Sequence, residues 1–233
     1  MNSFSSIRRS PVQDCLEKLN PVWAQLHDMR VPLRFNVSSG EIKLKTQLSL
    51  CDLSCLPKIG VKGPESLAWL AQAGIPVPAS VYGCGSLGGD GLVIRTDRSE
   101  VFLEDGPDST TVADLERELG TTPLGVYRVC RQDASFQLRG AQSNAVLRET
   151  CGVDFSQASD GVVMTRVAGV SCMVLAVRDN PTPTFRLWLD PSYASYLWDA
   201  LLEIVRDQGG DAVGLEDIYP SFGQKNSVKG ETP

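Results

Sequence analysis

Asp90 is the acid in this chain best placed to do chemistry. It sits near the end of a glycine-rich run, Tyr82-Gly83-Cys84-Gly85-Ser86-Leu87-Gly88-Gly89-Asp90-Gly91. Glycine lets backbone approach a bound molecule closely, and a carboxylate beside it can exchange a proton. The run lacks the Lys-Ser/Thr of a phosphate loop, and hairpin composition follows it where such a loop needs a helix. Two readings stand: a tight turn, or a ligand-facing loop in which Asp90 supplies the carboxylate.

The other reactive side chains exclude more than they offer. His27 is the single histidine, so histidine triads and two-histidine metal sites cannot form within this chain. Seven cysteines stand at 15, 51, 55, 84, 130, 151 and 172. Only Cys51 and Cys55 are close, with no second pair and no histidine nearby, so no metal site is expected. Reduced, mostly buried thiols fit this pattern. Arg128, Arg131 and Arg139 lie in a strand-rich stretch and read as surface partners for Asp133 or Glu149. Tyr193, Tyr196 and Trp198 lie on or beside a helical stripe and read as core.

Composition narrows the partners. A chain of 233 residues can bury one large core or two small ones. Its net charge of −6 argues against nucleic acid, which needs a basic face to displace counterions. The longest apolar run, Val170 to Val177, is interrupted by Ser171 and falls far short of the roughly 20 residues of a spanning helix. No membrane association is expected. Arg8-Arg9 has no apolar run behind it, so no secretory signal is expected and the cytoplasm is the expected location.

The elements that position these residues come as an echo. Alternation at Lys58-Ile59-Gly60-Val61-Lys62 predicts a strand, and Leu67, Leu70 and Ala71 after Gly63-Pro64 predict a helix. The pattern recurs ungapped at 135–147, matching Gly63 with Gly140, Ser66 with Ser143 and Leu70 with Leu147. After the first copy, strands are predicted at Leu92 to Arg95 and Glu100 to Glu104, then a helix with a capping-box-like start at Thr111 and Asp114. After the second copy, strands are predicted from Val162 on towards Val177 and from Thr184 to Leu189. A helix then starts at Asp190-Pro191, its stripe running from Ala194 to Val205.

The predicted fold is α+β, two strand-helix-strand-strand-helix units with mostly antiparallel pairing. The predicted organisation is an N-terminal extension over 1–47 and a duplicated domain over 48–218. Its halves are about 48–122 and 123–218, and a flexible tail follows over 219–233. Within the extension, a short helix over Val12, Leu16 and Leu19 ends at Pro21, and Val31 to Val37 reads as an edge strand.

Three segments make the chain resemble the folate-binding domain family of the glycine-cleavage aminomethyltransferase (T-protein), and more narrowly the gamma subunit of heterotetrameric sarcosine oxidase. The run from Leu50 to Glu65, with Asp52-Leu53-Ser54 and Gly63-Pro64-Glu65, resembles the family's Phe-Asp-Leu-Ser-His, strand and Gly-Pro-Asp/Glu. Gly88-Gly89-Asp90-Gly91-Leu92-Val93-Ile94 resembles Gly-Gly-x-x-Asp-Asp-x-x-Val. Pro191-Ser192-Tyr193-Ala194-Ser195-Tyr196-Leu197-Trp198 resembles the gamma subunit's Ser-Phe-Ala-x-Tyr-Leu-Trp helix.

The resemblance implies a folate-binding fold. If the site is active, it implies Asp90 as the catalytic acid, with Leu56, Tyr82, Asp90 and Arg166 as folate- and substrate-binding positions. The chain departs from the methyltransferase pattern at both acidic motifs. Gly91 stands where a second aspartate is usual, and Thr165 to Cys172 has no acid where Thr-Gly-Tyr-Thr-Gly-Glu supplies a pterin-contacting glutamate. One lost charge-assisted bond costs about 1.5–3 kcal/mol. The family's longer enzymes also continue into a C-terminal barrel, before which this chain stops.

These departures imply an accessory subunit of a flavin-dependent N-methyl amine oxidase or dehydrogenase. Flavin then resides in a larger partner subunit, and this chain alone binds no cofactor. The other implied function is a stand-alone tetrahydrofolate-dependent one-carbon transferase. The Lys-Gly-Cys-Tyr-x-Gly-Gln segment of relatives serving iron–sulfur maintenance is absent.

Overall fold

The computed structural model describes residues 8–36, 48–156, 161–177 and 181–222. Two compact units share them. One holds the described residues up to Cys55, from Ala134 to Ser156 and from Met164 on; the other holds Leu56–Asp133 with Gly161–Val163.

The chain opens with helix α1 (Gln13–Glu17) and a hairpin, β1 (Pro21–Leu26) and β2 (Met29–Phe35). His27 turns that hairpin with a φ of 50°. Val37, the last residue of the predicted edge strand, lies outside the described residues. β3 (Leu48–Asp52) follows, then β4 (Lys58–Lys62) and α2 (Ser66–Gln72). Next come β5 (Cys84–Gly88), β6 (Gly91–Asp97), β7 (Glu100–Glu104) and α3 (Thr111–Leu119).

The second repeat begins with β8 (Tyr127–Cys130), β9 (Ala134–Gly140) and α4 (Ser143–Thr150). β10 (Val162–Val167), β11 (Val170–Val177), β12 (Thr184–Leu189) and α5 (Ala194–Asp207) complete it. A two-residue strand β13 (Asp211–Ala212) and a short helix α6 (Leu215–Ile218) come last. Tyr219 and Phe222 are buried, so packing continues into the predicted tail; residues 223–233 lie outside the described set.

Two strands absent from the sequence reading appear at matching places. The glycine run forms β5 and only then turns, at Gly89-Asp90. The run from Val162 to Val177 is two strands folded at Ala168-Gly169, both with positive φ. Each repeat is therefore strand, helix, three strands, helix. The start of α3 also differs from the expected capping box. Asp105 accepts the Val112 N–H at 2.9 Å, and Thr110, not Thr111, meets Asp114 at 3.1 Å.

The sheets show the duplication strand by strand. One is ordered β5-β6-β7-β4-β8, the other β10-β11-β12-β9-β3-β13. The strand that leads each repeat has crossed over: β3 precedes β4 but pairs with β9, and β8 precedes β9 but pairs with β4. This reciprocal exchange is why the compact units divide at Cys55 and Asp133 instead of at the repeat boundary.

The echo holds in atomic detail. Gly63 and Gly140 have φ of 126° and 139°, a region L side chains rarely adopt. Gly63 N–H donates to Ser99 O at 3.0 Å, and Gly140 N–H donates to Pro183 O at 2.9 Å. Leu70 and Leu147 are buried in their respective units.

Candidate functional site

Asp90 stands exposed at the tip of the β5–β6 hairpin. Its own φ of 66° follows two glycines at 78° and 53°, so the turn is made almost wholly of left-handed backbone. Asparagine and aspartate tolerate that conformation better than other side chains, which gives a local reason for an aspartate here. The next position is tight for any side chain. A Cβ on Gly91 would lie 3.1 Å from Glu104 O and 3.1 Å from the Leu87 Cβ.

Tyr82 precedes the same hairpin. Its φ is 66°, its N–H donates to Arg95 O at 2.7 Å, and its carbonyl accepts the Val162 N–H at 2.8 Å. Its ring is half exposed. Arg95 ties the approach down by donating to the carbonyls of Ala79 and Arg98, at 2.5 and 2.8 Å. Gly83 and the five residues of β5 separate Tyr82 from the turn, and the strand alone spans roughly 13 Å end to end.

Leu56 is only 1% exposed. Its carbonyl accepts from Lys58 Nζ at 2.9 Å, and Lys58 also meets Glu104 at 3.3 Å. Arg166 is exposed on β10, in the other compact unit. Its hairpin turn is held by Tyr196, whose hydroxyl donates to Ala168 O at 3.2 Å. Beyond the turn, Val170 and Cys172 point into the core, and burial pushes the Cys172 thiol up to about 12. Among the described residues, no hydrogen bond or ion pair joins any two of Leu56, Tyr82, Asp90 and Arg166. Tyr82 and Asp90 share a hairpin.

Sequence reasoning missed the acids that the fold uses most. Asp52 is buried and accepts the hydroxyls of Ser10 at 2.5 Å and Ser54 at 2.6 Å, so the Asp-Leu-Ser motif closes a turn. Glu104 and Asp105 are buried side by side. The only signal was two adjacent acids ending an apolar strand just before a helix. Arg128 pairs with Glu116, and Arg131 pairs with Glu100 at 2.7 Å and approaches Asp133 at 3.9 Å. Each of these groups is occupied in holding the fold. Of Leu56, Tyr82, Asp90 and Arg166, the last three are exposed.

A family model described as the GCVT N-terminal domain matches residues 12–218. An aminomethyltransferase from Saccharopolyspora erythraea is 24% identical over 97% of this chain and 68% of its own length. One from Bacillus cereus is 22% identical over 95% of this chain and 67% of its own. Among solved structures, the glycine cleavage system aminomethyltransferase T from Bartonella henselae superposes with a TM-score of 0.69 at 17% identity. That match covers 90% of this chain, which spans only 60% of the T-protein's length. A chain of heterotetrameric sarcosine oxidase from Corynebacterium sp. U-96, solved with pyrrole 2-carboxylate, superposes with a TM-score of 0.62 at 17% identity. That match covers 87% of this chain and 97% of the other. The fold is that of these proteins: mixed α/β, with the T-protein folate-binding arrangement.

Proposed function

This chain belongs to the GCVT N-terminal domain family, and from that premise we propose that it is an accessory subunit of a flavin-dependent N-methyl amine oxidase or dehydrogenase. The observation that carries the reading is the loss of carboxylates where the fold would pair a pterin. A pterin's N–H edge is held by charge-assisted bonds to acids. Here the β10–β11 hairpin offers none between Thr165 and Cys172. Gly91 leaves Asp90 without a second acid beside it. The residues present do not fit an acid-paired folate.

Partner subunits supply the chemistry in this reading. The flavin sits in a larger subunit, and this chain braces it. The near-complete match to a chain of a heterotetrameric oxidase supports that arrangement. The test is purification of the tagged chain from its own cells under mild conditions. The expected result is a complex with larger, flavin-containing subunits that oxidises an N-methyl amine. A clean monomer without oxidase subunits overturns the reading.

The aminomethyltransferase relatives, matched over nearly the whole chain, support a second reading. In it the chain binds tetrahydrofolate and transfers a one-carbon unit, with Asp90 positioning the amine. Calorimetric titration with tetrahydrofolate separates the two. Saturable heat favours this second reading, and no heat at millimolar ligand ends it.

A further inference from the structure

We infer that the open edge of β8 accepts an extended segment of a partner subunit, added parallel to it as β13 is added to β3. The duplication supplies the template. β8 and β3 hold the same place in their sheets: Arg128 pairs with Val61 as Leu50 pairs with Leu138, and Val61 and Leu138 are matched by the repeat. Beyond β3 the sheet continues. Asp211 and Ala212 pair with Ser49 and Leu50, and Val213 N–H donates to Leu50 O at 2.9 Å. Beyond β8, among the described residues, the sheet stops.

Register shows which groups of β8 are spare. The bonds Gly63 N–H to Ser99 O and Asp105 N–H to Pro57 O turn the odd-numbered peptide groups of β4 towards β7. Gly60 and Lys62 therefore bond Val129 and Tyr127, and the N–H and C=O of Arg128 point away from β4. An edge that presents such groups is a template for strand addition. Burial agrees. β3 is buried throughout, whereas Tyr127, Arg128 and Cys130 of β8 are exposed. Tyr127 is 57% exposed, and Leu124, in the turn before it, is 94% exposed.

The template also states what the occupant looks like. It runs parallel to β8, with a small residue opposite Arg128 as Ala212 lies opposite Leu50, and an apolar side chain covers Tyr127 and Leu124. A second copy does not satisfy this, because a two-fold axis pairs a strand with itself antiparallel. The occupant we assign is a segment of a different polypeptide, and its identity as an oxidase subunit rests on the accessory-subunit reading.

The test compares Arg128→Pro with Arg128→Ala in the tagged full chain purified from its own cells. Both variants lose the guanidinium and its pairing with Glu116. Only proline also loses the outward N–H, a loss that edge strands tolerate. The expected result is wild-type recovery of partner subunits with alanine and about tenfold less with proline, the size of one interface hydrogen bond. The Arg128 amide is expected to exchange quickly in the isolated chain and slowly in the complex. If proline unfolds the chain, exchange on the unmutated complex decides alone.

Equal recovery with both folded variants overturns the edge inference and leaves the subunit reading standing. So does an Arg128 amide that is already slow in the isolated chain. A dimer of the isolated chain that proline abolishes assigns the edge to a second copy and also overturns the inference. A chain that never copurifies with oxidase subunits overturns the subunit reading, and the edge inference falls with it.

Discussion

The two repeats build one sheet plan with different amounts of charge. In the unit around β4, Lys58 and Glu104 lie opposite each other as a buried ion pair, at 2% and 1% side-chain exposure. At the matching cross-strand position the unit around β9 sets Ser135 opposite Trp188. Both positions are buried. In the unit around β9 the buried Arg186 donates to Ser135 Oγ at 3.3 Å, so the same backbone accepts either an ion pair or a serine served by a single buried cation. That difference teaches where each unit is vulnerable: one to the loss of a charged partner, the other to changes in packing. Trp198 and Phe136 meet edge to face at 5.4 Å in the unit around β9.

The largest expected effect comes from breaking the ion pair. Glu104→Leu leaves Lys58 charged and buried, and the cost is about 3–5 kcal/mol. The double variant Lys58→Met with Glu104→Leu is expected to recover most of that, because removing both partners leaves no uncompensated buried charge. Urea unfolding of both variants measures it. A single variant within about 1 kcal/mol of wild type, or a double variant no better than the single, breaks the comparison.

That pair also shows how far the sequence could be read. Lys58, Gly60 and Lys62 alternate with Ile59 and Val61, and alternation alone puts both lysines on a solvent face. Only the partner strand reveals that Lys58 is covered. Local signals did well: the Gly63 and Gly140 turns, the buried leucines behind them and the α5 stripe depend on residues a few positions apart. β5 was hidden because glycines weaken strand propensity, and β10 merged with β11 because the apolar run is broken only at Ala168-Gly169. The crossing of β3 and β8 is a non-local pairing that no window reveals. For the candidate site, Asp90 on a hairpin tip was legible because its turn is local. The separation of Tyr82 from Asp90 follows from β5, the strand hidden among the glycines, and the burial of Leu56 from partners far along the chain.

A second contrast lies in the thiols. Cys51 and Cys172 are buried in the unit around β9, and burial pushes both up, Cys172 to about 12. The unit around β4 holds only Cys84, half-buried, and Cys130, exposed. An unfolded thiol ionises near about 8.5. Above that pH the unfolded chain releases protons that the folded chain keeps. The contribution is therefore full below about pH 8.5 and is lost as pH rises towards 12, at most about 1.4 kcal/mol per pH unit for each thiol. Urea midpoints taken under reductant are expected to fall from pH 8 to 10. Cys172→Ala should flatten that fall, and Cys130→Ala should leave it unchanged. Equal slopes in all three proteins remove the contrast.

The smallest effect distinguishes the two copies of one motif. Ser66 and Ser143 are fully buried at matched positions, yet their hydroxyls solve different problems. Ser66 donates to Ser99 O at 2.9 Å, a carbonyl that Gly63 N–H already satisfies. Ser143 donates to Gly140 O at 2.8 Å and also reaches Pro183 O, the counterpart of Ser99 O, at 3.3 Å. Gly140 faces Pro183, which accepts the Gly140 N–H but has no N–H to return. The Ser143 hydroxyl supplies the bond that proline cannot. Ser66→Ala is then expected to cost about 0.5–1 kcal/mol, and Ser143→Ala about 1–3 kcal/mol, because it leaves a buried acceptor unpaired. Pro183→Ala returns an N–H at that place, so adding it to Ser143→Ala should recover part of the loss. In the wild-type background the same change should recover nothing. Urea unfolding of the four variants settles it: equal costs for the two serines, or no rescue at 183, would mean that the hydroxyls do the same work in both repeats.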